Sequence, residues 1–288
     1  MEAYLEILDN ILTKGEWKEN RTGIDTIAIA GVMFEHDMSG GFPLLTTKKM
    51  FFKGIASELE FFIKGLTDKA WLQERENHIW DEWCNPKKVP YGNDEESKIK
   101  MKEERDLGSI YGFQWRHWNA DYDSFDSNYE GKGVDQLEKV VNTLKKNPND
   151  RRMIVSAWNP EKISEMALPP CHYGFQVTVI KDKLNLLWNQ RSVDTMLGLP
   201  FNIASYGLLL HLLAKESGFK EGKLIGFLGD VHVYKNHLEG AKQQLSRKPL
   251  DLPSIETERF NSIFDWKYKD TTLKDYQSHP SIKLDIAV

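Results

Sequence analysis

The chain has 288 residues, of which 40% are hydrophobic and 28% are charged, a composition typical of a folded globular protein rather than a disordered one. Its formal net charge of −5 argues against a general binder of nucleic-acid backbones, so we expect no DNA binding and infer that any anionic ligand is held by a local cluster of arginines. Two cysteines are too few for a cysteine-rich zinc site and argue against a structural disulfide.

The N-terminal segment has the pattern of an amphipathic helix and not that of a secretory signal. Apolar residues from Tyr4 to Leu12 recur at helical spacing and stop at Gly15. The opening "MEAYLEILDN" has an acid at its second position and no uninterrupted apolar core. Apolar runs farther along, such as "GLLLHLLA", are shorter than the ~20 residues that span a bilayer. We therefore expect a cytoplasmic location and no membrane segment.

A strand, two more helices and a charged segment are predicted in the rest of the first half. "TIAIAGVMF" (26–34) alternates and changes phase at Gly31, as a bulged strand would. Helical stripes are formed by Ile55, Leu59, Phe62 and Ile63, and by Leu137, Val140, Val141 and Leu144. Residues 85–106 are highly charged and poorly patterned, so we take them as a solvated insertion. Since no repeat and no Gly/Ser- or Pro-rich linker interrupts the chain, we expect residues 1–288 to form one domain.

The second half is rich in strand patterns. The runs "RMIVSAW", "YGFQVTVI" and "LNLLWNQ" predict three strands, with Lys181–Lys183 as the turn between the last two. "PFNIASYGLLLHLLAKESG" (200–218) predicts a long buried helix, "KLIGFLG" a further strand, and residues from about 233 to 245 a last helix. Strands and helices mixed in this way indicate one α/β (α+β) domain built on a mixed sheet with flanking helices.

Cys171, in "ALPPCHYGFQ", is the first candidate for chemistry. Pro169 and Pro170 restrict the backbone in front of it, which suits a thiol that must be aimed. A buried cysteine at the start of a strand is the simpler alternative. A nucleophilic role requires a lowered thiol pKa, and the flanking His172 alone is weak evidence for one.

Arginines form the second group. Arg151 and Arg152 open one strand, and Arg191 and Ser192 close another. An arginine pair is often only a solvated edge. Arg191, however, follows an apolar run, so we expect it to be buried and to need an anion, for which paired guanidinium donors suit a phosphate.

Carboxylate, amide and ring side chains complete the candidate set. Glu58 lies on an apolar helical stripe, where an acid is costly unless it is paired or functional. Asn202 falls in the first turn of the long helix, either as an N-cap or as a reader of a base edge that carries an N–H beside a C=O. Asp230, His232 and Tyr234 share one face if that segment is extended. The histidine spacing matches no dense ligand set, so we expect no metal.

With these residues the sequence resembles the folate-dependent, cysteine-using thymidylate synthases. The similarity runs from "RTGIDT" to the C-terminal "IAV". Its densest parts are "FPLLTTKK", "IWDEW", "YGFQWRHW", "NDRRMIVSAWNP", "ALPPCHYGFQ", "QRSVDTMLGLPFNIASYGLLLHLLA" and "GDVHVYKNHLE". Motifs of this length in this order are highly specific. Residues 85–106 and parts of 245–275 resemble the family less.

The resemblance implies a homodimer in which two mixed sheets stack face to face. It implies that dUMP is methylated to dTMP with 5,10-methylenetetrahydrofolate as one-carbon donor and reductant. Cys171 would attack C6 of the uracil ring, C5 would then attack the methylene group, and a hydride would complete the methyl group.

The resemblance also implies roles for individual residues. Arg21, Arg191 and Ser192 would hold the phosphate, Arg151 and Arg152 would reach it from the other protomer, and Asn202, His232 and Tyr234 would bind base and ribose. Glu58 would handle protons at O4, and Tyr111 would lie near the C5 proton. The folate side would be lined by Lys48, Trp80, Trp83, Asp194, Gly198, Phe201, Ala287 and Val288, with Asp194 also counted among the catalytic and dUMP-binding residues.

One departure from the family pattern leaves an alternative open. Glu60 stands where the family usually has an apolar residue, and the similar phage deoxycytidylate hydroxymethylase has an acid there. Two positions along a helix turn a side chain by roughly 200°, so we expect Glu60 to face away from Glu58 as a partly exposed or paired acid. The alternative is a dUMP hydroxymethylase, against which stand Asn202, Trp80 and the C-terminal "DIAV". A nucleotide-binding regulator and a cysteine hydrolase account for fewer of the candidate residues.

Overall fold

A six-stranded mixed sheet is the centre of the fold, as seen in a computed structural model that describes residues 1–20 and 22–285. The strands are β1 (Glu16–Lys18), β2 (Thr26–Asp37), β3 (Ile154–Ser156), β4 (His172–Ile180), β5 (Lys183–Asp194) and β6 (Lys220–Tyr234), and a separate hairpin contains β7 (Ser254–Thr257) and β8 (Thr271–Lys274). The helices are α1 (Glu2–Lys14), α2 (Phe52–Ile63), α3 (Lys69–Gln73), α4 (Glu95–Glu103), α5 (Tyr111–His117), α6 (Gln136–Lys146), α7 (Gly198–Ser217) and α8 (Leu238–Leu245).

The strand order β1-β2-β6-β5-β4-β3 makes the sheet mixed. β5 and β6 are parallel and are connected through α7, whereas the other neighbouring pairs are antiparallel. A parallel pair needs such a crossover because a tight turn can join only antiparallel strands. The expected α/β fold class, a mixed sheet with flanking helices, is therefore confirmed.

Alternation along the strands gives the sheet one buried face and one open face. A buried row runs across it through Val155, Phe175, Trp188 and Phe34. Tyr206 of α7 stacks on Trp188 with ring centroids 5.5 Å apart, which packs the helix against the sheet. The opposite face exposes large apolar side chains at Met33, Ile154, Ile180 and Phe227. The sheet thus presents an uncovered apolar surface on the side away from α7.

The long helix and the hairpin turn follow the predictions from the sequence. α7 ends at Gly218, whose φ of 75° is the left-handed conformation that glycine adopts easily. It begins at Gly198, two residues before the predicted start at Pro200. Lys181 and Asp182 form the turn between β4 and β5, since Ile180 pairs with Lys183.

Two details of the prediction are wrong. The pairing of β2 with β6 keeps one register on both sides of Gly31, so that residue introduces a left-handed φ of 71° and not an inserted residue. The segment predicted as a helix from about residue 233 is still strand through Tyr234, and a short 3-10 turn precedes α8. β-branched valines in "DVHVY" favour this extension.

The charged segment 85–106 is more ordered than its pattern indicates. It contains the exposed helix α4, which Asp94 caps by accepting from the backbone of Ser97. Its two ends are buried at Asn85 and Asp106, and Met101 packs inward. Among the described residues, no helix is both long and apolar enough to cross a membrane.

We predict that Gly108→Ala destabilises the fold through a direct clash. Gly108 has a φ of 72°, and a Cβ there would lie 1.8 Å from the carbonyl oxygen of Glu165, in the segment that leads to Cys171. Gly131→Ala is the matched control, because its φ is 71° but a Cβ would meet nothing within 4 Å. In urea unfolding, Gly108→Ala should cost about 1–3 kcal/mol more than Gly131→Ala. Equal losses for the two variants would contradict this packing.

Candidate active site

Cys171 lies directly before β4, with its backbone fixed from two sides. Its N–H donates to the hydroxyl of Tyr111 at 2.8 Å, and its carbonyl accepts from the backbone N–H of Arg191 at 2.8 Å. The residue is partly exposed, whereas the other cysteine, Cys84, is buried. Burial raises the pKa of the Cys84 thiol to about 11. The description of a buried small hydrophobe therefore fits Cys84, and Cys171 is the thiol that a ligand can approach.

Aromatic stacking brings the helix that carries Glu58 to the same place. The ring of Tyr111, the first residue of α5, stacks on Phe62 of α2 with centroids 4.9 Å apart. Glu58 precedes Phe62 by one helical turn and is buried. It accepts a hydrogen bond from the indole N–H of Trp80 at 2.8 Å, and the Trp80 ring lies 6.0 Å from that of Tyr111. Glu58, Trp80 and Tyr111, three predicted site residues from separate parts of the chain, thus lie together.

The environment of Glu58 suits proton transfer. Burial raises its pKa to about 7, and the hydrogen bond from Trp80 partly opposes that rise. A carboxyl group in this range gives up and regains a proton near neutral pH, as a general acid or base must. Burial, with the nearby Cys171, raises the pKa of Tyr111 well above its ordinary value, so its phenol stays protonated.

Glu60 is occupied on the other side of α2. Its carboxylate is only 3% exposed, forms an ion pair with Lys64 and accepts from the backbone N–H of Tyr268 at 2.8 Å. The expectation of a paired acid is confirmed, although the side chain is buried rather than partly exposed. Its partners belong to the protein, so the geometry gives no support to a separate water-activating acid.

Asn202 lies beside Asp194 and Gly198 at the start of α7. It is the fifth residue of the helix, past the first turn, so the N-cap interpretation is wrong. Asp194 instead accepts from the backbone N–H groups of Met196 and Leu197, both at 3.0 Å, and so fixes the helix entrance. A Cβ on Gly198 would lie 3.7 Å from Asp194 and 3.8 Å from Asn202, so glycine leaves the space between these side chains open.

Gln190 orients the Asn202 amide. Its side-chain N–H donates to Asn202 Oδ1 at 3.0 Å. An amide held by its oxygen keeps its NH₂ group and the second oxygen lone pair for a ligand. Gln190 was not among the site residues predicted from the sequence. Its position could have indicated a role, because Gln190 is a polar residue on the buried side of its strand, two positions before Ser192.

The end of β6 presents His232 and Tyr234 next to the end of β5. Asp194 lies opposite His232 in the parallel pairing of the two strands. The rings of His232 and Tyr234 have centroids 5.3 Å apart. The imidazole Nδ1 is 3.0 Å from Asp230 Oδ1, and Asp230 also forms an ion pair with Lys18. Although partial burial opposes it, these hydrogen bonds from Lys18 and His232 hold the pKa of Asp230 below its usual range. The predicted shared face of this extended segment is confirmed.

The arginines are arranged differently from the prediction. Arg191 is exposed and not buried, because its side chain follows Leu187 and Asn189 on the open side of β5. Its guanidinium donates to the carbonyl oxygens of Pro170 and Pro169 at 3.0 and 2.8 Å. An exposed arginine needs no buried anion, so Arg191 gives no support to a phosphate site through burial. The guanidinium is nevertheless aligned on the two residues in front of Cys171.

Arg151 and Arg152 are exposed and lie just before β3, an edge strand of the sheet. Arg152 forms a two-point ion pair with Asp150, with N–O distances of 2.9 and 2.6 Å. Ser192 is half-buried, and in the parallel pairing of β5 with β6 it lies opposite Asp230. Three predicted site residues, Arg21, Ala287 and Val288, lie outside the described residues.

Two of the residues predicted for the folate side, Trp80 and Trp83, lie next to each other. Trp83 lies edge-on to Trp80 with centroids 6.2 Å apart, and Phe201 is half-buried on α7 beside Asn202. Lys48 is 6% exposed and its ammonium donates to the carbonyl of Met196. Desolvation lowers the pKa of Lys48 to about 8. In this position Lys48 fixes the loop before α7, and its contact with a folate tail stays a prediction.

His172 contributes more to the site than the sequence indicated. It is buried, its Nδ1 lies 2.9 Å from the hydroxyl of Tyr206, and its ring is 4.4 Å from Tyr111. Burial lowers the pKa of His172 to about 3, so the imidazole is neutral at physiological pH. In the described part of the chain, no three or more His, Cys, Asp or Glu side chains are grouped as metal ligands.

Comparison with known proteins identifies the family. A family model described as thymidylate synthase matches residues 2–288. The chain belongs to the thymidylate synthase family. The thymidylate synthase of Mycoplasma mobile is 44% identical over 307 residues, covering 100% of both chains. The bifunctional dihydrofolate reductase-thymidylate synthase of Leishmania major is 44% identical over 294 residues, which cover 99% of this chain and 55% of that relative.

We predict that Glu58→Gln changes both the pH dependence of stability and the activity. The folded chain binds the Glu58 proton more tightly than the unfolded chain between the ordinary carboxyl pKa of 4.5 and about 7. Glu58 therefore lowers the free energy of unfolding as the pH rises through that window. Glu58→Gln should not show this loss, so its free energy of unfolding at high pH should gain at most about 3 kcal/mol relative to that of the unsubstituted protein. Its kcat should fall by about 10²–10⁴.

Urea unfolding at several pH values across that window measures the first effect. Glu60→Gln, two residues along the same helix, is the control: it breaks the ion pair with Lys64, so it should lose stability where Glu58→Gln gains it. If the stabilities of Glu58→Gln and the unsubstituted protein ran parallel with pH, the protonation assigned to Glu58 would be wrong.

Proposed function

We propose that this member of the thymidylate synthase family converts dUMP to dTMP, with 5,10-methylenetetrahydrofolate as cosubstrate and dihydrofolate as the second product. The observation that carries the proposal is the approachable thiol of Cys171, held through Tyr111 next to a buried carboxyl group with a pKa of about 7. The match of the family model to residues 2–288 supports the same reaction.

Cys171 supplies the nucleophile in this proposal. Its thiolate adds to C6 of the uracil ring, and the electron pair of the C5–C6 bond moves toward C5 and O4. C5 then forms a bond to the methylene carbon of the folate, while the bond from that carbon to one of its two folate nitrogens breaks and that nitrogen takes up a proton. Loss of the C5 proton and elimination of tetrahydrofolate leave an exocyclic methylene group. Hydride from tetrahydrofolate reduces that group as the thiolate leaves C6, which gives dTMP and dihydrofolate.

Glu58 and Tyr111 handle protons in these steps. Glu58, protonated over much of the range below its pKa of about 7, stabilises negative charge that develops at O4. Tyr111 stays neutral and lies near the proton that leaves C5. The neutral His172 between Tyr111 and Tyr206 adds a further hydrogen-bonding group without adding charge.

Nucleotide recognition falls to the ends of β5 and β6 and the start of α7. We propose that Asn202, oriented by Gln190, binds N3–H and O4, and that His232 and Tyr234 bind the ribose hydroxyl. Asp194 serves base binding and catalysis by holding the entrance of α7. The phosphate is assigned to Arg21, Arg191 and Ser192. Arg191 already lies on the Pro169–Pro170 carbonyls, so phosphate binding there adds a contact to the loop that carries Cys171.

The folate is assigned to the aromatic wall around Trp80. Trp80 and Trp83 supply edge-to-face surfaces for a flat ring, and we assign Phe201 and Gly198 of α7 to the same folate site. Lys48, Ala287 and Val288 complete this assignment, and no metal is required for the reaction.

We also propose that the chain forms a homodimer through the open face of the sheet. Met33, Ile154, Ile180 and Phe227 are 44% to 62% exposed there, an apolar surface that a monomer would leave in water. Such a dimer would carry Arg151 and Arg152 to the partner's phosphate site. The single-domain boundary 1–288, the status of 85–106 as an insertion, and a cytoplasmic location remain proposals.

The hydroxymethylase alternative is less well supported. Glu60 is buried against Lys64 and the Tyr268 backbone, so it has protein partners in place of a water. The relative from Mycoplasma mobile that matches along the whole chain is named a thymidylate synthase.

Product analysis tests the reaction. Purified protein is incubated with dUMP and 5,10-methylenetetrahydrofolate, and nucleotides and folates are separated by mass spectrometry. The proposal predicts dTMP and dihydrofolate in equal amounts, and none with Cys171→Ala. Formation of 5-hydroxymethyl-dUMP with tetrahydrofolate would establish the alternative. Tight dUMP binding without either product would indicate a nucleotide-binding regulator.

We predict that mixed dimers recover activity lost in two single variants. Cys171→Ala lacks the nucleophile, and Arg152→Ala lacks a phosphate ligand for the other protomer. When the two variants are unfolded and refolded together, about half of the dimers should contain one protomer of each variant. One of the two sites in each mixed dimer then pairs an intact Cys171 with an intact Arg152, which restores up to roughly a quarter of full activity. Arg105→Ala, which removes a similar exposed pair with Asp68, is the control and should retain activity without mixing. Absence of recovery would contradict the assignment of Arg152 to the partner's site.

A further inference from the structure

The segment 85–106 touches both sides of the active site. Tyr91 lies within it, and its hydroxyl contacts two carbonyl oxygens, that of Cys84 at 2.9 Å and that of Ala167. Cys84 directly follows Trp83 on the proposed folate wall. Ala167 begins the "ALPPC" stretch that ends at Cys171. One phenol thus joins the folate wall to the loop that carries the nucleophile.

The folate-wall end of this connection is firmly held. The ammonium of Lys69 is buried and donates to the carbonyl oxygens of Asp81 at 3.0 Å, Trp83 at 2.9 Å and Met101 at 2.8 Å. Met101 belongs to α4, the helix inside the segment. Three carbonyls around one ammonium fix the turn after Trp80 to the segment itself, because leaving a buried ammonium without partners is costly.

The nucleophile end is held by the same segment and the residue after it. Ala167 donates its backbone N–H to the carbonyl of Leu107 at 2.9 Å, while its own carbonyl accepts from Tyr91. Both polar groups of this residue are therefore engaged. From there the chain reaches Cys171 through Pro169 and Pro170, whose rings restrict the backbone. A displacement at Ala167 is therefore passed on to the thiol instead of being absorbed.

We propose that Tyr91 is a positioning residue for the reaction: its hydroxyl sets the distance between the folate wall and the Cys171 loop. The inference rests on the proposed function, since only a reaction between a nucleotide on Cys171 and a folate on the wall needs that distance. Tyr91 does not touch the reacting atoms. Its ring is 45% exposed, so it contributes little to the core, and the hydroxyl is the part of the side chain that matters.

Tyr91→Phe is the direct test, and Tyr122→Phe is its matched control. Tyr122 also uses a phenol to hold the segment: it donates to Asp106 at 2.7 Å and lies 2.9 Å from the hydroxyl of Thr67. It contacts the base of the segment rather than Ala167 or Cys84. Each variant removes one hydroxyl and keeps the ring. Three quantities are measured: kcat and KM for dUMP, the melting temperature, and the alkylation rate of each cysteine by iodoacetamide, followed by peptide mass spectrometry.

The proposal predicts a fall in kcat of about two- to tenfold in Tyr91→Phe, the range expected for one hydrogen bond, with a smaller change in KM for dUMP. Alkylation of Cys171 should become faster because its loop is less restrained, while the buried Cys84 should react as slowly as before. Tyr122→Phe should leave kcat and both alkylation rates unchanged, whatever its effect on the melting temperature.

Two results would overturn the proposal. One is a Tyr91→Phe variant whose kcat and Cys171 alkylation match the unsubstituted protein. The other is an equal loss of kcat in both variants, which would assign the effect to general stability. If the unsubstituted protein made no dTMP, the proposed function would fail by itself, and the alkylation rates would still report whether Tyr91 restrains the loop.

Discussion

The hydrogen bond from the backbone of Cys171 to the hydroxyl of Tyr111 is the contact on which the site depends. It joins the start of β4 to the start of α5, and Tyr111 in turn stacks on Phe62 of the helix that carries Glu58. Without it the thiol and the carboxyl group would belong to independently placed elements. Because Tyr111 is buried and remains a phenol, the contact persists over the pH range in which Glu58 titrates.

Burial adjusts two ionisable groups around this contact in the direction that the chemistry needs. It raises the pKa of Glu58 to about 7 and lowers that of His172 to about 3. In each case the charged form is penalised by loss of water. The result is a site with one group that exchanges protons near neutral pH and a neutral imidazole that does not compete with it.

Alternation and helical spacing were sufficient to predict most of the fold, because burial on one face is a local property of the sequence. They failed where a side chain's direction depends on strand parity. Arg191 follows an apolar run but falls on the open face, so its burial was wrongly predicted. The motifs also identified Cys171, Glu58, Trp80 and Asn202 as candidates. Contacts between distant segments, such as Gln190 with Asn202 or Tyr91 with Ala167, leave no periodic signal, and the charged segment therefore looked featureless.

The proposed reaction requires a covalent bond between Cys171 and C6 of the pyrimidine. A dUMP analogue with fluorine in place of the C5 hydrogen tests this directly, because the step that removes the C5 proton cannot occur and the adduct should accumulate. With 5,10-methylenetetrahydrofolate present, peptide mass spectrometry should find the nucleotide and the folate together on the peptide that contains Cys171. A fully active preparation in which that peptide stays unmodified would contradict the central claim.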